Sequence, residues 1–192
     1  SVGNLIPTKD HALLLRAFAR VSKSIPETHL DIIGEGPERP RLQELATSLG
    51  IRSNVTFLGR QDRTQVAQAM QACDVFALPS RYEGFGCVYL EALACGKPVI
   101  ACSGQGISEI IRNGHNGLLI AAGDERGLAE RLLQLLQDRA LRERLAARSD
   151  DDVVAFVANN GRLPGTETVQ AAAVVALAGA QDHPVELRHE SA

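Results

Sequence analysis

The chain has 192 residues, of which 45% are hydrophobic and 22% are charged, and its net charge is −3. This composition predicts a globular protein with one substantial core and excludes wholesale disorder. The negative net charge argues against a nucleic-acid-binding module, which is usually basic. No apolar run approaches the roughly 20 residues that a membrane-spanning helix needs. The four cysteines form no CxxC pair, which favours buried thiols in a reducing cytosol.

Short apolar runs typical of β-strands alternate along the chain with amphipathic runs typical of helices. The first helical run has its apolar residues at helical spacing, and Asp62 is predicted as the N-cap of a later one. In chain order, the predicted elements are a strand and turn over 2–6, a helix over 9–24, a strand over 29–33, a helix from 37 or 40 to 49, a strand over 54–58, a helix over 62–72, a strand over 74–78, a helix over 86–95, a strand over 97–102, a short helix over 106–111, a strand over 117–120, and helical runs over 124–137 and 138–148.

This alternation predicts an α/β fold, a doubly wound parallel sheet with helices on both faces. Right-handed crossovers bring the carboxyl ends of all strands to one edge of such a sheet, where ligands bind. A glycine-containing loop follows each of the first predicted strands, so we expect these loops to converge on one face; the glycines concerned are Gly3, Gly34, Gly36, Gly59, Gly84, Gly86, Gly104 and Gly106.

The character of the sequence changes after Ser149, where an acidic cluster, a turn and an Ala/Val-rich run follow one another. We predict one domain over residues 1–148 and an atypical, partly helical tail over residues 149–192. The chain opens directly on a pattern typical of a strand end. We therefore expect it to be a piece of a longer protein.

Glu83 and Glu91 are the most informative carboxylates in the sequence. If the segment between them were helical throughout, they would lie ~12 Å apart along the helix axis, at a rise of ~1.5 Å per residue. That is wider than the roughly 5–9.5 Å between the paired carboxylates of glycosidases. They suit the two ends of one elongated ligand better. Between them, Gly84 and Gly86 let a ligand approach backbone amides at a helix start, which attracts anions.

The segment Pro79-Ser-Arg-Tyr-Glu-Gly-Phe-Gly86, with Glu91-Ala-Leu-Ala-Cys-Gly-Lys-Pro98 after it, resembles the E-x7-E signature of the retaining GT-B glycosyltransferases of family 4, the glycosyl transferases group 1. Other segments match the landmarks of that family in order, so the resemblance covers about residues 1–148. They are Val2-Gly-Asn4 with Lys9, Leu30-Asp-Ile-Ile-Gly-Glu-Gly-Pro37, Val55-Thr-Phe-Leu-Gly59, Gly106-Ile-Ser-Glu109 and Asn113-Gly-His-Asn-Gly117. The resemblance implies a Rossmann-like domain that is the C-terminal, donor-binding half of a GT-B enzyme.

The resemblance also implies roles for individual residues. Lys9 would contact the donor diphosphate and stabilise the charge that develops as the nucleoside diphosphate leaves. Glu83 would contact hydroxyls of the transferred sugar, and Glu91 would accept hydrogen bonds from the ribose. Lys9, which would contact the diphosphate, and Glu83, which would contact the sugar, are therefore the expected catalytic residues. The remaining expected donor-binding residues are Gly3, Asn4, Gly34, Arg60, Gly84, Phe85, Gly86 and Cys87.

The sequence departs from the family pattern at two positions within the matched region. Asn4 stands where the family often has an arginine that shares the diphosphate with the lysine, and Gln105 stands where a glycine is common. The resemblance implies no metal ion and no cofactor, because the family generally works without a metal. The histidines at positions 11, 29 and 115 are expected at the surface or as caps, since the family's catalytic histidine belongs to the absent N-terminal domain.

The expected function is therefore the donor-binding half of a retaining hexosyltransferase. Such an enzyme would move a sugar from a nucleoside-diphosphate sugar to a glycan or lipid-linked acceptor in bacterial cell-surface polysaccharide synthesis. Its expected partners are the donor and the absent acceptor domain, with no nucleic acid. A cytoplasmic location follows, with association at the inner membrane face through the absent domain as an open alternative. A non-catalytic nucleotide-sugar-binding module and a GT-B-like sugar-nucleotide epimerase also stay open.

Overall fold

The structure, a computed structural model, describes residues 1–83 and 86–148. The predicted tail over residues 149–192 lies outside the described residues. Within the described ranges, the strands are β1 (Leu30–Ile33), β2 (Val55–Gly59), β3 (Phe76–Ala77), β4 (Val99–Cys102) and β5 (Gly117–Ile120). The helices are α1 (His11–Ser24), α2 (Arg39–Ser48), α3 (Arg63–Ala72), α4 (Cys87–Ala94), α5 (Glu125–Gln137) and a further helical run over 139–148, with 3-10 turns at Pro7–Lys9, Arg52–Asn54 and Gly106–Glu109.

The strands pair in parallel, as predicted, in two hydrogen-bonded groups. One group is β1 with β2, and the other has the order β3-β4-β5. Residues 2–6, predicted as a strand and turn, have a single bridge residue followed by the turn. Only Val2 forms a bridge, with Ile33 of β1, because a turn closed by the Ile6 N–H and the Asn4 carbonyl diverts the chain before Pro7.

Helices cover both faces of the sheet, and β4 contributes side chains to the core on each face. Ile100 and Cys102 belong to the core formed with α1, α2 and α5. Val99 and Ala101 belong to the core formed with α4 and Met70 of α3. Successive side chains of a strand point to opposite faces, so a strand buried on both sides reads as a continuous apolar run. The predicted doubly wound α/β fold is confirmed.

The helix starts follow local capping chemistry. Asp62 is the N-cap of α3, as predicted: its carboxylate accepts from the Gln65 N–H at 2.9 Å, and the Gln65 side chain accepts from the Asp62 N–H at 3.0 Å. This reciprocal pair is a capping box. Asp124 accepts from the Gly127 N–H at 2.8 Å at the start of α5. Within residues 1–83 and 86–148, no helix is long and apolar enough to cross a membrane.

We predict that Asp62→Ala lowers the free energy of unfolding by about 1 kcal/mol, because the amides at the start of α3 lose their acceptor. Urea unfolding followed by circular dichroism measures this change. Glu44→Ala, on the exposed side of α2, is the control and should stay within about 0.5 kcal/mol of wild type. Equal stability of the two variants would contradict the capping role.

Candidate functional site

Two loops meet at the carboxyl edge of the sheet and are joined by an ion pair between Lys9 and Glu83. The Lys9 ammonium donates to Glu83 Oε2, and Ser80 Oγ donates to the same oxygen at 3.4 Å. The Lys9 side chain is 19% exposed and the Glu83 side chain 13% exposed, so both are largely shielded from water. The structure therefore brings together the two residues that the sequence analysis expected to be catalytic.

A second ion pair fastens the same two loops to each other. Arg81 Nε donates to Asp10 Oδ2 at 2.6 Å, and the Arg81 N–H donates to the Thr8 carbonyl at 2.8 Å. Asp10 adopts a left-handed conformation with φ 50°, which aspartate tolerates better than most residues. Its buried carboxylate also accepts from the Leu13 N–H at 3.3 Å and caps α1. Asp10 was not among the expected site residues, although an aspartate close to the start of a helical run is an N-cap signal.

The start of α4 lies against the Glu83 side chain. Gly86 precedes α4 with φ 71°, and a Cβ placed there would lie 2.7 Å from Tyr89 Cδ2 and 3.0 Å from Glu83 Cγ. Both the conformation and the crowding therefore require glycine at this position. Cys87 is the first residue of α4, where the backbone amides carry the positive end of the helix dipole. Gly84 and Phe85, two expected donor-binding residues, lie outside the described residues.

Glu91 lies on α4, half-buried, one turn beyond the helix start. Burial raises the pKa of Glu91, and the positive charge of Arg63 on α3 partly offsets that effect. Within residues 1–83 and 86–148, no group donates a hydrogen bond to its carboxylate. A partly desolvated carboxylate with acceptor positions still available suits the hydroxyl groups of a ligand. The condition for a separation of ~12 Å between Glu83 and Glu91, a segment that is helical throughout, is not met, because α4 begins at Cys87 and its helical rise does not extend back to Glu83.

Gly34 has a packing reason to be glycine. Its φ is 142°, and a Cβ there would overlap the carbonyl oxygen of Gly3. Its N–H donates to the Gly59 carbonyl at 2.8 Å, and the Gly3 N–H donates to the Ile33 carbonyl at 2.9 Å. These bonds connect the first residues of the chain to the ends of β1 and β2. Contact of Gly34 with a donor stays a prediction.

Two other expected residues stand apart from the ion pair. Asn4 is exposed at the turn after Gly3, and Arg60 is exposed directly after β2. Among the contacts of the described residues, none joins either side chain to Lys9 or Glu83. Asn4 and Arg60 follow different strand segments at the same sheet edge, so each is accessible to a ligand that extends along that edge.

The sequence profile of the family described as Glycosyl transferases group 1 matches residues 1–152. The chain belongs to the group 1 glycosyltransferases. It is 38% identical over 154 residues to the lipopolysaccharide core biosynthesis glycosyltransferase LpsE of Rhizobium meliloti, a match that covers 80% of this chain and 44% of that protein. The chain therefore spans less than half the length of this relative.

Solved structures share the fold, one of them from a protein described as a member of the same group 1 family. The C-terminal domain of the Francisella tularensis protein LpcC superposes with a TM-score of 0.74 at 27% identity, covering 80% of this chain and 83% of that one. The Anabaena protein HepE, in complex with UDP and glucose, superposes with a TM-score of 0.75 at 27% identity, covering 92% of this chain and 47% of that one. The predicted GT-B family and its Rossmann-like fold are confirmed.

In this group 1 glycosyltransferase, the expectation of a surface or capping role for His11 is wrong. His11 is only 2% exposed, and neither ring nitrogen hydrogen-bonds to any described residue. Burial lowers the pKa of His11 to about 3, with further lowering by the positive charges of the Ser1 amine and Lys9. As the first residue of α1, it points inward because the helix begins one residue after Asp10 and the first turn packs beneath residues 1–3. His29 is half-exposed, as expected, and pairs with Thr56 Oγ1 at 2.8 Å.

We predict that His11 makes the protein less stable as the pH falls. The folded-state pKa of about 3 lies below the ordinary value of 6.5. Between these two values the unfolded chain binds a proton at His11 that the folded chain does not. Stability is therefore lost below pH 6.5 at up to about 1.4 kcal/mol per pH unit.

Urea unfolding of wild type and His11→Leu between pH 7 and pH 4.5 measures this contribution. The variant should lose less stability per pH unit than wild type, because it has no proton to exclude. Ser24→Ala, at an exposed position that carries no titrating group, is the control and should follow the wild-type slope. Parallel curves for wild type and His11→Leu would contradict the prediction.

Proposed function

We propose that this chain is the donor-binding half of a retaining hexosyltransferase, one that transfers a sugar from a nucleoside-diphosphate sugar to a glycan or lipid-linked acceptor. The observation that carries the proposal is the Lys9–Glu83 ion pair, placed between two strand-end loops and beside the start of α4. A cation, a carboxylate and a helix N-terminus at one sheet edge can bind a diphosphate and sugar hydroxyls side by side. Two similar proteins support this assignment: LpsE is named as a lipopolysaccharide core biosynthesis glycosyltransferase, and the HepE structure contains UDP and glucose.

Lys9 would bind the diphosphate of the donor. When a diphosphate enters, it competes with the Glu83 carboxylate for the Lys9 ammonium. The phosphate oxygens offer more negative charge than one carboxylate, and the amides at the start of α4 add further donors. As the bond to the sugar breaks, negative charge grows on the departing diphosphate, and a cation already in place stabilises it without reorganisation.

Glu83, released from Lys9, would accept hydrogen bonds from hydroxyls of the transferred sugar. Gly86 leaves the space between Glu83 and Tyr89 without a side chain, and the Cys87 amide would face the sugar and phosphate. Glu91 would accept from the ribose hydroxyls, since its carboxylate has no donor from the described residues. Gly3, Asn4 and Arg60 would complete the site towards the phosphate and the base.

The acceptor site would lie in an N-terminal domain outside this chain, consistent with the 44% of LpsE that the chain covers. The role in cell-surface polysaccharide synthesis, a cytoplasmic location and association with the membrane through that domain belong to the same proposal. Function without a metal ion or cofactor stays a prediction that rests on the family resemblance. Co-expression with a candidate N-terminal half would separate an enzyme from a non-catalytic binding module, because only the enzyme would give sugar transfer.

We predict that the isolated 192-residue chain binds a nucleoside diphosphate weakly and transfers no sugar. Isothermal titration calorimetry with UDP, GDP and ADP measures the binding and also identifies the base. Sugar transfer is assayed with UDP-glucose, GDP-mannose and ADP-glucose. Absence of binding to all three diphosphates would overturn the proposed donor site.

We predict that Lys9→Ala weakens diphosphate binding by about 10- to 100-fold, because a charge-assisted hydrogen bond is lost. Binding of the matching nucleoside should change by less than about threefold, since the ribose and base do not contact Lys9. Lys23→Ala, on an exposed position near the end of α1, is the control and should bind as wild type does. Equal losses for diphosphate and nucleoside would contradict the assigned role.

A further inference from the structure

The side chain of Gln105 connects the loop after β4 to the loop that carries Glu83. Gln105 Oε1 accepts from the Glu83 N–H at 2.9 Å, and Gln105 Nε2 donates to the Arg81 carbonyl at 2.9 Å. The orientation of the amide group follows from its partners, because a backbone N–H needs an acceptor and a carbonyl needs a donor. We call this pair of bonds the Gln105 clamp.

Gln105 is itself well fixed. It directly precedes the 3-10 turn Gly106–Glu109, and its carbonyl accepts from both the N–H and the hydroxyl of Ser108, at 2.9 and 2.6 Å. The clamp therefore joins a braced position after β4 to the backbone on either side of Tyr82, which is 75% exposed. Bonds on both sides of one residue restrict the rotation of that residue and of the residue after it.

The clamp and the ion pair act on opposite ends of the same residue. The Gln105 clamp bonds the backbone N–H of Glu83, whereas Lys9 and Ser80 bond its carboxylate. A ligand diphosphate that draws Lys9 away removes a bond at the carboxylate end only. The backbone end stays fixed, so the point from which the Glu83 side chain extends does not move, and the carboxylate can shift only by rotation within its own side chain.

We propose that Gln105 is a positioning residue that places the Glu83 carboxylate for the transferred sugar. This inference rests on the proposed function. Gln105 acts through the backbone of residues 81 and 83 and does not itself contact the donor. Its effect is therefore on the sugar portion of the donor, which Glu83 contacts, and not on the nucleoside diphosphate portion.

The first test needs no ligand. Gln105→Ala and Gln105→Met both remove the two bonds, and methionine keeps the length of the side chain. In the unliganded 192-residue chain, hydrogen exchange at the Glu83 amide, followed by NMR, should be at least about tenfold faster in both variants. Gln137→Ala, an exposed residue at the end of α5, is the matched control and should exchange as wild type does. Unchanged exchange at Glu83 in both variants overturns the clamp.

The second test compares each nucleoside diphosphate with its sugar conjugate by calorimetry, using UDP with UDP-glucose, GDP with GDP-mannose and ADP with ADP-glucose. In the pair that wild type binds, Gln105→Met should lose about five- to tenfold in affinity for the sugar nucleotide, as expected for one or two weakened hydrogen bonds. Its affinity for the diphosphate alone should change by less than about twofold.

The outcomes separate this inference from the proposed function. Equal losses for the diphosphate and the sugar nucleotide, or no loss for either, overturn the positioning role while wild-type binding still supports the donor site. If wild type binds none of the six compounds, the proposed function fails, and the donor role of Gln105 fails with it. Faster exchange at the Glu83 amide would then describe a structural contact alone.

Discussion

The Lys9–Glu83 ion pair is the interaction on which the arrangement of the site depends. It joins residues 74 positions apart in sequence and brings a cation and a carboxylate to the same point of the sheet edge. In the unliganded chain the carboxylate occupies the ammonium that a diphosphate would use. Under the proposed function, Glu83 would be an internal competitor, and the apparent affinity for a diphosphate would be reduced by the fraction of time the pair is closed. The same pair keeps two partly shielded charges compensated when no ligand is present.

Two further contacts decide where the two partners lie. The Asp10–Arg81 pair fixes the backbone on one side of Lys9 and on one side of Glu83. The close approach of Gly34 to Gly3 fixes the start of the chain against the end of β1. The removal of any one of these contacts would shift a loop and not a single side chain. The site is therefore a property of the sheet edge as a whole, which suits a ligand that spans several loops.

The fold was predictable from the sequence because its strands are short apolar runs between helices with clear periodicity. Residues 117–120 were predicted as a strand with the bounds that β5 has in the structure. Asp62 and Asp124 indicate the starts of α3 and α5, because aspartate is a preferred N-cap residue. Within the strand and turn predicted over residues 2–6, the point where the strand ends was not predictable in the same way, since the apolar residues continue into the turn. A pattern of apolar residues indicates which side chains are buried, but a buried side chain can belong to a strand or to a packed turn.

The family motifs singled out Lys9 and Glu83, which the structure pairs, but they did not predict the geometry of the candidate site. The distance between Glu83 and Glu91 depends on where α4 begins, and the glycines before it, Gly84 and Gly86, leave that start open in the sequence. The inward direction of His11 depends on the helix starting at His11, with Asp10 as its N-cap, and not at Lys9, a shift of two residues that pattern reasoning does not resolve. Gln105 was noticed only as a departure from the family, because hydrogen bonds between distant loops leave no local signal.

The strand β4 has a consequence beyond its place in the sheet. Its alternate side chains pack into two different cores, one on each face of the sheet, so β4 separates the two cores and belongs to both. Loosening of either core would displace β4, and Gln105 follows the end of this strand after only two residues, Ser103 and Gly104. Distant substitutions under α1 or α4 would then reach the loop that carries Gln105 through the backbone of a single strand, without altering any residue of the candidate site.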